Sequence, residues 1–113
     1  MSGASFGTKV AAVVVAAGAS RRMSGIKQLL PWKDTTMLGY VIEQLKTAGA
    51  TDVFVVLGAH QEEILQKIDA TDIIIIHNNN WARGMGTSIA RTIKYFRENQ
   101  LEFDGLLIAA CDQ

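Results

Sequence analysis

Four apolar runs divide the chain, and segments with helical periodicity separate them. The runs lack polar alternation, which is typical of strands that are covered on both faces in a parallel sheet. We predict strands at Val10–Ala16, Asp52–Leu57, Asp72–Ile76 and Phe103–Ala110. Between them the pattern predicts helices from Thr35 or Thr36 to about Ala48, over His60–Ile68 and over Thr87–Arg97.

The alternation of strands and helices predicts a parallel α/β sheet with right-handed crossover connections. Its natural strand order is 3-2-1-4, in which the direction of growth reverses beside strand one. Ligands bind at such a reversal, outside the carboxyl ends of the strands. Because this order would bring the turn at Gly18 beside Asp112, we expect the functional site at this end of the sheet.

Charge and composition narrow the class of partner. The 113 residues carry 11 basic and 11 acidic side chains. Because the net charge is zero, we expect no nucleic acid partner. No acidic residue precedes Asp34, and this locally basic part suits a small anionic ligand. The single cysteine excludes an internal disulfide and is typical of a reducing compartment. The first apolar run is too short to cross a bilayer, so we expect a cytoplasmic protein with no membrane partner.

The segment after strand one has the features of a phosphate-binding turn. Gly18 allows a sharp turn and close approach of a ligand, and Arg21, Arg22 and Lys27 add positive charge near backbone N–H groups. The spacing matches neither a Walker A loop nor a dinucleotide fingerprint. The residues alone leave a nucleotide site and an ordinary strand–helix turn as equal alternatives. The whole segment Ala17–Lys33 is expected to be a long loop.

Two further segments carry candidate chemistry. Asp112 directly follows the fourth strand, where a carboxylate is either a Mg²⁺ ligand or the cap of a following helix. Gly84–Ser88 leads into the third helix and could contact an anion or a base edge. The plainer interpretation of this segment is helix capping by Thr87 or Ser88. Cys111 is interpreted as a buried small side chain, because the sequence places no base beside it.

Three separated stretches carry a family resemblance: VVVAAGASRRMSGIKQLLPW, NNNWARGMGTSIA and LLIAACDQ. Together they closely resemble the MobA-like NTP transferases, and among these the molybdenum cofactor cytidylyltransferase branch. That family's signature is an apolar strand followed by L-A-[AG]-G-x-S-x-R-M-G-x-x-K-x-L-L-P. Here Val15 replaces the usual Leu and Ser24 stands near the usual Gly. The matching positions are Ala16, Ala17, Gly18, Ser20, Arg22, Met23, Lys27, Leu29, Leu30 and Pro31.

The resemblance implies a Rossmann-like three-layer αβα fold and transfer of a nucleotidyl group from an NTP. In the cytidylyl branch, CTP and the molybdopterin form of the molybdenum cofactor would yield a dinucleotide cofactor and pyrophosphate. Ala16-Ala17-Gly18 and Cys111-Asp112-Gln113 resemble the cytidylyl form of the two motifs. A molybdenum hydroxylase would then be a possible partner of the protein.

The resemblance also implies roles for individual residues. Arg22, Lys27 and Asp112 would be the catalytic group, with Arg22 and Lys27 on the triphosphate and Asp112 on Mg²⁺. Backbone groups of Ala17 and Gly18 would line the base and the phosphates. The full set of expected nucleotide-binding residues is Ala16, Ala17, Gly18, Ala19, Ser20, Arg22, Lys27, Asn80, Gly84 and Ser88.

Two alternatives and one expectation about length accompany this interpretation. A guanylyl or sugar-phosphate nucleotidyltransferase would use the same scaffold, and a non-catalytic nucleotide-binding accessory protein for molybdenum enzyme maturation would use the same motifs. Residues 1–113 are expected to form the N-terminal, nucleotide-binding part of a single domain, because the sequence stops inside the C-D-Q-P motif. A sheet ending there would leave an uncovered strand, which favours self-association or a partner chain.

Overall fold

The computed structural model describes residues 8–19, 21–22 and 25–111, with only the backbone described for Arg21 and Arg22. Short 3-10 turns lie at Lys27–Leu29 and Trp81–Arg83. The strands and helices are β1 (Val10–Val15), β2 (Arg21–Arg22), β3 (Gly25–Ile26), β4 (Pro31–Trp32), β5 (Thr35–Thr36), α1 (Met37–Thr47), β6 (Asp52–Leu57), α2 (Gln61–Lys67), β7 (Ile74–His77), α3 (Met85–Glu98) and β8 (Gly105–Ala110).

Strands β7, β6, β1 and β8 form, in this order, a parallel sheet within the described residues. Strand β1 is paired on both edges, so that Val13 is in register with Phe54 of β6 and with Ile108 of β8. Numbered by the four long strands alone, this order is 3-2-1-4. The predicted α/β class and strand order are therefore confirmed.

The sheet is covered on both faces because successive side chains of a strand point in opposite directions. Val14 of β1 belongs to the core beneath α1 and α2, where Leu38 is also buried. Val13 belongs to the opposite core beneath α3, where the Phe54 and Phe96 rings meet edge to face with centroids 5.0 Å apart. Helices on both faces of one sheet give the expected three-layer arrangement.

Helix α1 begins as the sequence predicts. The Thr36 hydroxyl oxygen accepts a hydrogen bond from the Gly39 N–H at 3.0 Å, which satisfies one of the free donors of the first turn. Leu38 and Ile42, one turn apart, are the buried positions of the helix. The cap and the apolar stripe together fix α1 against the sheet.

The segment from Ala17 to Lys33 differs from the predicted long loop. It contains the antiparallel pair β2–β3, a 3-10 turn and the strand β4, which pairs with β5. Pro31 lies opposite Thr36 in that second pair. Two-residue strands carry no hydrophobic period, so the sequence pattern could not reveal them.

Three element boundaries also differ from the prediction. Helix α3 begins at Met85 rather than Thr87, because Gly84 at φ +112° ends the preceding turn in a conformation that favours glycine. Strand β7 begins at Ile74 rather than Asp72, which has a left-handed backbone at φ +65°. Strand β8 begins at Gly105 rather than Phe103.

Strand β8 exposes apolar side chains on both faces. Leu106, Leu107 and Ile108 have 45%, 38% and 49% of their surface exposed, whereas the facing residues of β1 are buried. Among the described residues β8 pairs only with β1, so its outer edge keeps unpaired backbone groups. No helix in the described part of the chain is long and apolar enough to cross a membrane.

A polypeptide of residues 1–113 is expected to self-associate through β8, because an exposed apolar edge strand pairs readily with another chain. Ile108→Lys places a charge on this edge and should weaken association about tenfold, equivalent to about 1.4 kcal/mol. Sedimentation velocity over a concentration series measures the effect. Gln44→Lys, which adds the same charge on the exposed side of α1, is the matched control. Equal behaviour of the two variants would place the contact elsewhere.

Candidate functional site

The carboxyl end of β1 is held by hydrogen bonds that continue beyond the strand itself. The Ala16 N–H donates to the Val56 carbonyl at 3.0 Å, and the Ala17 carbonyl accepts from the Ala59 N–H at 2.9 Å. Both alanines are buried. Gly18 therefore stands at the point where the chain leaves the sheet.

The Gln28 side chain fixes the turn from the other side. Its Nε2 donates to the carbonyls of Ala16 and Gly18, both at 3.0 Å, and the residue has 0% exposure. A trans peptide is planar, with its N–H opposite its C=O. The N–H groups of Ala17 and Ala19 consequently point away from the Gln28 amide. One buried side chain thus sets the orientation of two peptide groups in the turn.

A second buried amide, that of Asn78, orders the loop between β7 and α3. Its Nδ2 donates to the hydroxyls of Thr87 and Ser88, both at 2.9 Å, and its Oδ1 accepts from the Asn80 N–H at 2.9 Å. The Asn78 N–H donates to the Leu57 carbonyl at 2.8 Å, which ties the loop to β6. The first turn of α3 is thereby fastened to the carboxyl end of the sheet.

These two ordered segments face each other across a groove of about 190 Å³. The ring of Trp81 lies so close to Gly58 that a Cβ added there would come within 2.7 Å of it, so Gly58 admits the ring. A groove formed by small residues and backbone lets a ligand approach main-chain N–H groups closely. Its lining consists of Val15, Ala17, Gly18, Trp81, Gly84, Met85 and Ser88.

The groove brings together Ala17, Gly18, Gly84 and Ser88, which come from two distant parts of the sequence. Two further residues of the expected set lie beside it. Ala16 contributes its carbonyl to the Gln28 contact, and Ala19 follows Gly18 on the exposed side of the turn.

The structure separates Asn80 from this group. Asn80 lines a neighbouring groove on the other side of the start of α3. Lys27 opens the 3-10 turn that carries Gln28 and is partly exposed. Ser20, Asp112 and the side chain of Arg22 lie outside the described residues. Among the residues that are described, no group of three or more His, Cys, Asp or Glu is placed to hold a metal ion.

Sequence reasoning missed Gln28 and Asn78. The signal for Gln28 is an uncharged amide residue that directly precedes the apolar pair Leu29 and Leu30 in a segment that also contains Ile26. The signal for Asn78 is its place directly after a strand, where an Asn commonly bonds the backbone two residues on. Cys111 is buried, as expected, and its N–H donates to the Val15 carbonyl at 2.9 Å.

A groove at the reversal of strand order in a parallel sheet defines a class of ligand-binding α/β domain. Comparison with known families then identifies the member of that class. The MobA-like NTP transferase domain matches residues 12–113, and the chain belongs to this family.

Individual relatives agree with this assignment. The chain is 34% identical over 80 residues to the nicotine blue oxidoreductase of Paenarthrobacter nicotinovorans, and 30% identical over 82 residues to the molybdenum cofactor cytidylyltransferase of Escherichia coli. A solved nucleotidyl transferase from Methanothermobacter superposes with a TM-score of 0.77 at 26% identity.

The relatives are longer than the matched region. The two sequence matches cover 70% and 72% of this chain but 39% and 42% of the relatives. The structural match covers 95% of this chain and 52% of the solved one. The chain thus spans about half or less of the length of these relatives.

Replacing Gln28 by Leu should destabilise the fold by about 2 kcal/mol, because two carbonyls lose a buried donor while the side-chain volume hardly changes. Urea denaturation measures the loss, and amide hydrogen exchange should accelerate at residues 16–19. Gln44→Leu on the exposed side of α1 serves as the control. If both variants lost the same stability, the Gln28 hydrogen bonds would contribute nothing specific to this turn.

Proposed function

We propose that this chain carries the nucleotide-binding part of a nucleotidyltransferase that moves CMP from CTP to the phosphate of a molybdopterin-type molybdenum cofactor. The observation that carries the proposal is the groove in which Ala17 and Gly18 meet Gly84 and Ser88. The family match and the cytidylyltransferase relative support the class of reaction and the choice of CTP.

In this proposal the turn at Ala17–Ala19 receives the nucleotide through backbone N–H groups. The two hydrogen bonds from Gln28 to the carbonyls of Ala16 and Gly18 support this role for the turn. Peptide groups that are fixed in advance lose no orientational freedom when a ligand binds. Ser20 and the cations Arg22 and Lys27 would bind the triphosphate. Gly84 and Ser88 would contribute the second side of the nucleotide site, and Asn80, which lines the neighbouring groove, would contact the nucleotide from there.

Mg²⁺ would be held by Asp112 together with phosphate oxygens, and it would supply charge neutralisation at the triphosphate. The described lining of the groove contains no carboxylate. The position of Cys111, the residue before Asp112 in the sequence, supports this role for Asp112. The Cys111 N–H donates to the carbonyl of Val15, one residue before Ala16.

The chemistry requires little covalent work from the protein. A phosphate oxygen of the acceptor attacks the α-phosphorus of CTP, the bond to the bridging oxygen breaks, and pyrophosphate leaves in line. Positioning and stabilisation of the developing negative charge lower the barrier. A fixed N–H turn flanked by Lys27 suits this task.

The name of one relative supports a second candidate function, that of an oxidoreductase. The relative with 34% identity is named nicotine blue oxidoreductase, a name that refers to a reaction other than nucleotidyl transfer. A guanylyl or sugar-phosphate nucleotidyltransferase and a non-catalytic accessory protein that serves a molybdenum hydroxylase remain further alternatives. A cytoplasmic location is part of the proposal and is supported by the single, buried cysteine.

Lys27→Ala is expected to lower kcat/KM by about 100-fold or more, the scale of losing one strong electrostatic donor in the transition state. Steady-state kinetics of pyrophosphate release from CTP measure the change. Lys67→Ala removes the same charge from the exposed end of α2 and should leave the rate unchanged. A Lys27→Ala rate equal to that of Lys67→Ala would make Lys27 an ordinary surface charge.

The substrate assignment is tested by measuring pyrophosphate release with molybdopterin cofactor and Mg²⁺, using CTP, GTP and UTP in parallel. We expect release with CTP, and its loss in Asp112→Asn. Preference for GTP or UTP would favour one of the other nucleotidyltransferases. Nucleotide binding without release by any of them would favour the accessory protein, and absence of nucleotide binding would overturn the proposal.

A further inference from the structure

A second groove, of about 390 Å³, lies at the carboxyl end of β7 on the other side of the first turn of α3. It shares no lining residue with the groove that contains Gly18. Its lining consists of His77, Asn78, Asn79, Asn80, Thr87, Ala90, Arg91 and Lys94. The proposed nucleotidyl transfer uses only Asn80 of this set, so the chemistry of the groove needs a separate explanation.

The lining contains two cationic side chains and no carboxylate. Arg91 is fixed in place, because its Nε donates to the His77 carbonyl at 3.2 Å. Its Nη1 is buried and makes no hydrogen bond, although it forms an ion pair at 3.7 Å with the carboxylate of Glu98, a side chain that is 54% exposed. Within the described chain, neither Nη1 nor Nη2 of Arg91 has a hydrogen-bond acceptor.

Lys94 follows Arg91 by three residues on α3, so the two cations lie on neighbouring positions of one helical face. In the described part of the chain Lys94 takes part in no ion pair. Two like charges at this spacing repel each other, and Glu98, which pairs with Arg91 and follows Lys94 by four residues, offsets part of this repulsion. An anion bound in the groove would offset more of it.

Neutral donors complete the groove. The side-chain amides of Asn79 and Asn80 are exposed, and neither donates a hydrogen bond to another described residue. The amide of Asn78, in contrast, is fully used within the loop. Cations together with free amide N–H groups bind oxygen acceptors that carry negative charge.

We propose that this groove is a binding site for a compact oxyanion, a phosphate or carboxylate group, held by Arg91 and Lys94 with amide donors from Asn79 and Asn80. The two cations lie close together on one side of the groove and the amide donors come from the adjoining loop, which fits a single anionic group better than an extended polyanion. The proposal goes beyond nucleotidyl transfer and does not depend on it.

The oxyanion groove is also linked to the first groove by hydrogen bonds. Asn78 Nδ2 bonds Thr87, which lines the oxyanion groove, and Ser88, which lines the groove with Gly18. An anion that holds Asn79 and Asn80 in place restricts the loop on which Asn78 lies. The oxyanion site is thus connected to the first turn of α3 through one buried side chain.

Inorganic phosphate is the probe for the test. The chain is titrated with phosphate at constant ionic strength, and NMR follows the shifts of the backbone amides of Asn79, Asn80 and Lys94 and of the side-chain amides of Asn79 and Asn80. We expect saturable shifts with a Kd of about 1 mM to 10 mM, the affinity of a site with few charged contacts. Acetate in place of phosphate distinguishes a carboxylate preference from a phosphate preference, and saturation by either anion supports the site.

Lys94→Gln should raise the Kd about threefold to fivefold, the scale of one partly exposed ionic contact. Arg97→Gln removes a charge from the same helix outside the groove and should leave the Kd unchanged. Equal weakening by both variants would show a non-specific charge effect and overturn the proposal. Loss of the Asn79 and Asn80 shifts in Lys27→Ala would overturn it as well, because the anion would then act from the first groove. The absence of saturable shifts with either anion is the third contrary result.

Discussion

Strand β1 packs against another element on each of its four sides. Strands β6 and β8 pair with its edges, and the two helical layers cover its faces. A polar side chain anywhere along Ala11–Ala17 would be buried without a partner, and a larger one would have no space. This constraint explains the unbroken run of Ala and Val, and it fixes the height at which Gly18 leaves the sheet. Both grooves are arranged around the sheet end that β1 defines.

Much of the fold was predictable because its long strands are continuous apolar runs and its helices carry an apolar stripe on one face. Apart from Asp52 at the start of β6, the strands β1, β6 and β8 contain no polar side chain, and the stripe through Leu38 and Ile42 fits one face of α1. The strand order followed from general rules for parallel sheets. The hairpins between Ala17 and Thr36 were not predictable in this way, since strands of two residues depend on local turns and tertiary contacts.

Residues of the candidate site were predictable where their type and position have few structural explanations other than a turn or a ligand contact. Gly18 and Gly84 flank turns, and Ser88 precedes an apolar helix face. Each of the three could therefore be recognised as a candidate from its place in the sequence alone. Gln28 and Asn78 act through long-range hydrogen bonds to backbone and hydroxyl groups that the sequence alone does not place. In the sequence Asn80 belongs to the same family-like stretch as Gly84 and Ser88, but in the structure it lines the second groove.

The contact between Trp81 and Gly58 has a spectroscopic consequence. Trp81 lines the first groove, whereas Trp32 lies on β4, is 43% exposed and contacts Tyr40 with ring centroids 5.6 Å apart. These are the two tryptophans of the sequence. An occupant of the groove replaces water beside one indole and leaves the other in solvent. The fold therefore contains an intrinsic fluorophore at the mouth of its candidate site, and Trp32→Phe isolates its emission without adding a label.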